Sequence, residues 1–75
     1  MTIQMVDVTI HIDEALDHAH LEQLRDRMLG ETGVMAAVYH DEKPHLMIVE
    51  YDPVKNSSAN LLKAVQTQEI GRAHV

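Results

Sequence analysis

Residues 34–51, VMAAVYHDEKPHLMIVEY, decide the fold predicted for this chain. The segments Val34–His40 and His45–Tyr51 are rich in β-branched and other apolar residues, as strands are. Between them the sequence DEKP at 41–44 has the composition of a turn, so the two segments predict a β-hairpin. The dipeptide DP at 52–53 ends the second strand, because proline has no N–H to donate to a sheet.

On the N-terminal side of the hairpin, the sequence predicts a strand and then a helix. Apolar and polar residues alternate from Val6 to Ile12, which is the two-residue period of a half-buried strand whose polar residues face outward. An apolar stripe at helical spacing follows, formed by Leu21, Leu24 and Met28. Asp17 is a candidate N-cap for this helix, and Gly30 or Gly33 can end it.

On the C-terminal side, Ser57 or Ser58 can cap a second helix, and Gly71 opens a last short strand, Arg72–Val75. The apolar face of this helix consists of Leu61, Leu62 and Val65. The order β-α-β-β-α-β is that of the α+β ferredoxin-like sandwich. Right-handed crossovers then place both helices on one face of a four-stranded antiparallel sheet, in a single domain that covers residues 1–75.

Composition excludes several classes of protein. The chain has 75 residues, a net charge of -6, six Lys and Arg in total and no Cys, so disulfides and thiolate metal sites are excluded. Nucleic-acid binding needs clustered basic residues, and those here are scattered. No apolar run reaches the roughly 18 residues that span a membrane. Because the N-terminus lacks the regions of a signal peptide, we expect a cytoplasmic protein that binds neither nucleic acid nor membrane.

Several positions resemble the heavy-metal-associated (HMA) family in register. They are Gly33-Val34, Val49-Glu50-Tyr51-Asp52-Pro53, Ser57, Leu61-Leu62-Lys63-Ala64-Val65 and Gly71. The resemblance covers nearly the whole chain, apart from about two extra residues near Glu69-Ile70. Members of this family carry copper, zinc or mercury, as soluble metallochaperones or as modules of metal-pumping ATPases. The resemblance therefore implies the same fold and a role in binding and transferring metal ions.

The metal-binding motif of this family is replaced in this chain. The family has Gly-Met-x-Cys-x-x-Cys between the first strand and the first helix, and alignment from Gly33 puts Asp17 and His20 at the two cysteines. The site thus becomes Asp17-His18-Ala19-His20. Carboxylate and imidazole ligands suit a divalent ion such as Zn(II), Ni(II), Co(II) or Cu(II) better than the soft ions that thiolates favour. We predict Asp17, His18 and His20 as ligands, with His11 as an additional candidate.

A purely structural interpretation of this loop competes with the metal site. Asp17 is explained more simply as an N-cap, and His18 and His20 as exposed surface residues. Asp17 and His20 share a helical face because they are three residues apart, but all three candidates cannot easily converge from a regular helix. By the same resemblance, Arg72 would lie near the loop, where a salt bridge with Asp17 is expected.

The chain is histidine-rich for its length, with six histidines, and two of them flank the predicted turn. We expect His40 and His45 to lie at the opposite end of the sheet from the metal loop, the segment between the first strand and the first helix that contains Asp17. At that opposite end, the two histidines could face each other across the strands and bind an ion. We favour the interpretation that both are solvated turn residues, because two histidines alone are fewer than the four ligands that a zinc site usually has. His74 and His11 are expected to be exposed sheet residues.

The sequence contains no catalytic constellation, so we do not expect an enzyme. Ser57 and Ser58 are explained by helix capping, and no glycine-rich phosphate loop is present. The first hypothesis is a metal-ion carrier, chaperone or sensor that exchanges its ion by ligand substitution. The alternative is an interaction module that kept the fold and lost the metal. Such a module would dock a partner protein or a second copy through its outward sheet face or through the acidic loop Asp13–Asp17.

Overall fold

The computed structural model describes residues 4–13, 15–67 and 73–74, and its elements follow the predicted order. The strands and helices are β1 (Val6–Ile12), α1 (His18–Leu29), β2 (Val34–Tyr39), β3 (Leu46–Tyr51), α2 (Ser58–Gln66) and β4 (Ala73–His74).

Strand β3 lies between β1 and β2 and runs antiparallel to both. On the other side of β1, the two residues of β4 pair antiparallel with His11 and Ile12. The α+β class with two helices and an antiparallel sheet is therefore confirmed. The full four-stranded sheet stays a prediction, because only Ala73 and His74 of the predicted strand Arg72–Val75 are among the described residues.

Alternation along the strands places one face of the sheet in the core. The inward residues are Val8, Ile10 and Ile12 of β1, Ala37 of β2, and Met47, Val49 and Tyr51 of β3. They pack in one cluster with Leu21, Leu24 and Met28 of α1 and Leu61, Ala64 and Val65 of α2, so both helices cover this face. Burial of such aliphatic side chains is the main favourable contribution to folding.

Both helices begin at the predicted capping residues. The Asp17 carboxylate accepts a hydrogen bond from the His20 N–H at 2.9 Å, and the Ser57 hydroxyl accepts one from the Asn60 N–H at 3.1 Å. Each cap satisfies an N–H that has no partner within the first helical turn. Gly30 ends α1, as predicted.

Gly33 adopts a backbone conformation that favours glycine, with φ of 80° between α1 and β2. Its carbonyl accepts a hydrogen bond from the Asp52 N–H at 2.9 Å, and a Cβ at this position would lie 2.8 Å from the Lys55 Cβ. The turn after β3 thus packs against the start of β2, and only a residue without a side chain fits between them.

Strand β2 lies at an edge of the described sheet and contains an irregularity. Val34 pairs with Tyr51 and Ala36 with Glu50, so Met35 is an extra residue without a counterpart in β3. This arrangement is a β-bulge. The Met35 side chain is 68% exposed.

The strand directions correct the prediction that His40 and His45 lie at the opposite end of the sheet from the metal loop. Because β1 and β2 are both antiparallel to β3, they run parallel to each other, and their C-terminal ends share one end of the sheet. The Ile12 N–H donates to the His45 carbonyl at 2.8 Å. The predicted placement was therefore wrong, and the β2–β3 turn lies beside the loop that precedes α1.

Candidate metal centre

Two of the predicted ligands come together at the start of α1. Asp17 Oδ1 lies 2.5 Å from His20 Nδ1, in addition to its hydrogen bond with the His20 backbone N–H. The first helical turn creates this contact, because residues three apart lie on the same face. The side chains of Asp17 and His20 are 67% and 59% exposed, so an ion in solution can reach both.

The Asp17 carboxylate is stabilised in its charged form. Its pKa is lowered, first by the hydrogen bond from the His20 backbone N–H and then by the hydrogen bond from the His20 imidazole. A carboxylate must be ionised to act as a metal ligand. The cap therefore keeps Asp17 in the form that a metal ion requires.

His18, the third predicted ligand, contacts a different group. Its Nδ1 lies 2.9 Å from Asp41 Oδ1 in the β2–β3 turn, and its Nε2 lies 3.7 Å from Glu22 Oε1. Its ring also meets the Tyr39 ring edge-on, with centroids 5.9 Å apart. The hydrogen bond with Asp41 is the main reason why the pKa of His18 is raised. The structure thus joins Asp17 with His20, but His18 with Asp41 and Glu22.

The sequence interpretation missed Asp41 as a residue of this region. Asp41 was assigned only to a turn, and the turn to the wrong end of the sheet. The β-α-β-β order implies that β1 and β2 run parallel to each other, and this direction could have placed Asp41 at the same end of the sheet as Asp17.

The remaining candidate residues are placed as follows. His11 lies on the outward side of β1, opposite Leu46, with an exposed side chain. His45 Nδ1 lies 3.1 Å from the Ile12 carbonyl, which can only accept, so this nitrogen carries the proton and His45 faces β1 rather than His40. His40 is exposed. Arg72 lies outside the described residues, so its salt bridge with Asp17 stays a prediction.

The Asp17–His20 pair supplies two ligands and leaves coordination positions open. Across residues 4–13, 15–67 and 73–74, no group of three or more His, Asp or Glu side chains is arranged to hold a metal ion. A structural zinc site has four protein ligands, whereas sites that exchange ligands keep open positions. An oxygen and a nitrogen ligand side by side can chelate a borderline divalent ion, with water or other donors completing the shell.

No family model matches this sequence, and no curated protein matches it. Three solved structures resemble the fold. Oxidized MerP from Ralstonia metallidurans CH34 has a TM-score of 0.81 at 19% identity, over 96% of this chain and 97% of that chain. A candidate copper-ion-binding protein from Bacillus anthracis str. Ames has a TM-score of 0.78 at 10% identity, over 89% and 93%. A copper-binding domain from HMA7, a P-type ATPase, has a TM-score of 0.76 at 13% identity, over 91% and 89%.

These neighbours establish the fold of the chain. All three are HMA-fold proteins, so the HMA fold that the sequence resemblance implied is confirmed. At identities of 10–19%, the agreement concerns the backbone and does not extend to the ligands. Among the residues that the structure describes, no helix has the length and apolar character that a membrane span requires.

Proposed function

We propose that this chain is a small cytoplasmic metal-ion-binding protein that carries, delivers or senses a borderline divalent ion such as Zn(II), Ni(II), Co(II) or Cu(II). Asp17 and His20 are its primary ligands, and His18 and His11 are the further candidates of the sequence prediction. One observation carries the proposal. An ionised carboxylate oxygen and an imidazole nitrogen lie 2.5 Å apart at the exposed start of α1 in an HMA fold.

The geometry of the pair suits an ion with only local movement. Zn–N bonds are about 2.0–2.1 Å and Zn–O bonds about 2.0–2.2 Å, which puts the two ligand atoms roughly 3.3 Å apart at a tetrahedral angle. The two atoms would separate by less than about 1 Å on binding zinc, and both side chains are exposed enough to rotate. The ion would take the place of the hydrogen bond between Asp17 and His20, with the proton of neutral imidazole on Nε2 instead of Nδ1.

An exposed site with two protein ligands fits transfer better than permanent storage. Open coordination positions let a partner's ligands attack the bound ion before the carrier's ligands leave. The expected affinity is moderate, because few ligands and an exposed shell bind metal weakly. A partner that offers more ligands would then take the ion from this chain.

Calorimetric titration with the four divalent ions tests the proposal on the wild type and two variants. His20→Ala removes the nitrogen ligand, and Asp17→Ser removes the carboxylate but keeps a side chain that caps helices. We expect one ion to bind at this pair with a Kd in the micromolar range, this binding step to be lost in His20→Ala, and the step to be at least about tenfold weaker in Asp17→Ser. His40→Ala is the matched control, because it removes an exposed histidine outside the pair. Binding that is the same in all four proteins would refute the proposal.

The alternative function, protein interaction without metal, is favoured by the outward face of the sheet. Val38 and Ile48 are paired neighbours on β2 and β3, and they are 45% and 41% exposed. Such neighbouring apolar side chains on a sheet can dock a second copy or a partner protein. Sedimentation velocity tests self-association, which Val38→Ser/Ile48→Ser should abolish. Val54→Ser, at a 91% exposed position in the turn after β3, is the control. Sedimentation as a monomer at all concentrations would eliminate the homodimer.

A further inference from the structure

We infer that His18 and Glu22 form a second metal site on α1, separate from the Asp17–His20 pair, and that Asp41 orients the imidazole of His18 for it. The two residues are four apart on the helix, so they share a face. His18 Nε2 and Glu22 Oε1 lie 3.7 Å apart, close to the roughly 3.3 Å that two zinc ligands span at a tetrahedral angle. A site at His18 and Glu22 does not require His18 to meet Asp17 and His20, and the positions of these three residues on the helix disfavour such a meeting.

Asp41 supplies the contact that metal-binding histidines usually need. A carboxylate only accepts, so the hydrogen bond of 2.9 Å between Asp41 Oδ1 and His18 Nδ1 places the proton of neutral imidazole on Nδ1. Nε2, which lies 3.7 Å from Glu22 Oε1, then has a free lone pair that an ion can accept. Metal-binding histidines almost always have such a carboxylate or carbonyl behind them, and its loss costs about 10–100-fold in affinity.

The surroundings of the pair support this orientation. The Tyr39 ring packs edge-on against the His18 ring at 5.9 Å, so the imidazole is contacted from β2 as well as from the turn. The side chains of His18 and Glu22 are 61% and 47% exposed, which leaves the space between them open to an ion and its water ligands. Arg25 is the competing cation, with its guanidinium 3.9 Å from Glu22 but closer, at 3.0 Å, to Asp26. Asp26 therefore holds Arg25 when an ion takes Glu22.

The test is Zn(II) titration in a His20→Ala background, which lacks the Asp17–His20 pair. The signals are calorimetric heat and the imidazole ¹⁵N shifts of His18, which report its tautomer and its bound nitrogen. We expect Zn(II) to shift His18 Nε2, and both signals to disappear with Glu22→Gln or His18→Ala. Asp41→Ala should weaken binding about tenfold or more. Glu42→Ala, which removes the same charge from the same turn, is the control and should retain binding.

The outcomes separate this inference from the proposed function. If His20→Ala abolishes all binding, the Asp17–His20 site stands and the second site is overturned. If wild type and His20→Ala bind Zn(II) equally and Glu22→Gln removes the binding, the second site stands and the primary pair is overturned. Tighter binding in Asp41→Ala would also overturn the inference, because it would mean that Asp41 withholds His18 from the ion.

Discussion

Gly33 offers the sharpest test of the fold, through substitution by alanine. Its φ of 80° lies in the left-handed region, where a residue with a Cβ costs about 1–2 kcal/mol. The new Cβ would also lie 2.8 Å from the Lys55 Cβ, which cannot rotate away because it is bonded to the backbone. Overpacking of this kind adds about 1–3 kcal/mol, so we expect Gly33→Ala to lower the free energy of unfolding by about 2–5 kcal/mol. A domain of this size has only about 4–11 kcal/mol in total.

Gly30→Ala is the matched control, three positions earlier in the chain. Gly30 has φ of -81°, which any residue adopts, and a Cβ there would meet only the Arg27 carbonyl at 3.4 Å and the Asp26 carbonyl at 3.8 Å. Replacing such a glycine restricts the unfolded chain, so we expect stabilisation by about 0.4–1 kcal/mol. The same chemical change should thus have opposite signs at the two positions.

Urea unfolding followed by far-UV circular dichroism measures both effects as shifts of the midpoint at constant slope. Gly33→Asn separates the two causes, because asparagine tolerates a positive φ but still brings a Cβ against Lys55. We expect its cost to lie between those of the two alanine variants. If Gly33→Ala and Gly30→Ala change stability equally, or if Gly33→Ala costs less than about 0.5 kcal/mol, the described contact between the two turns is wrong.

Three further predictions address the core and the loop that precedes α1. Leu24→Ala, at a fully buried position, should lower the free energy of unfolding by about 2–5 kcal/mol in the same urea assay. Leu29→Ala, at a 45% exposed position of the same helix, should change it by no more than about 0.5 kcal/mol. Equal costs would contradict the packing of α1. The pKa of His18 is raised by Asp41, so the NMR titration midpoint of His18 should fall in Asp41→Ala. The His18–Asp41 pair stabilises the fold fully below the unfolded pKa of about 6.5, and this stabilisation is lost as the pH rises through the raised pKa. The pKa of Asp17 is lowered, so the carboxylate contributes fully to the stability of the fold at pH values above the ordinary pKa of 3.8. This contribution is lost as the pH falls through the lowered pKa. A ¹³C carboxyl titration with a midpoint at or above 3.8 would contradict the cap.

Much of the fold could be predicted because its determinants are local. Alternation in β1, the apolar stripe of α1 and the caps Asp17 and Ser57 each depend on a few neighbouring residues, and the structure has all of them. Strand ends shifted by one residue, as in β2 and β3, because terminal residues such as His40 and His45 leave the ladder at the turn. The bulge at Met35 was not predicted, since no alternation rule marks an extra residue in an apolar run.

The site could be predicted only in part, because some of its contacts join residues close in sequence and others join residues far apart in sequence. Asp17 and His20 meet through helical spacing, which the sequence displays directly. The contact of His18 with Asp41 joins residues 23 positions apart, and its prediction required the strand directions to be worked out first. Which way an exposed imidazole points depends on the partners around it, and those partners come from three different elements.

The bulge in β2 has a consequence for the behaviour of the protein at high concentration. Exposed sheet edges are templates for aggregation, and the sequence VMAAVY of β2 is apolar and carries no charge to discourage it. The extra residue Met35 breaks the regular spacing of backbone donors and acceptors near the start of this edge. Only the short stretch from Ala36 to Tyr39 remains regular enough to template another strand. The bulge thus shortens the regular edge with which another strand could pair, in a strand that itself contains neither lysine nor proline.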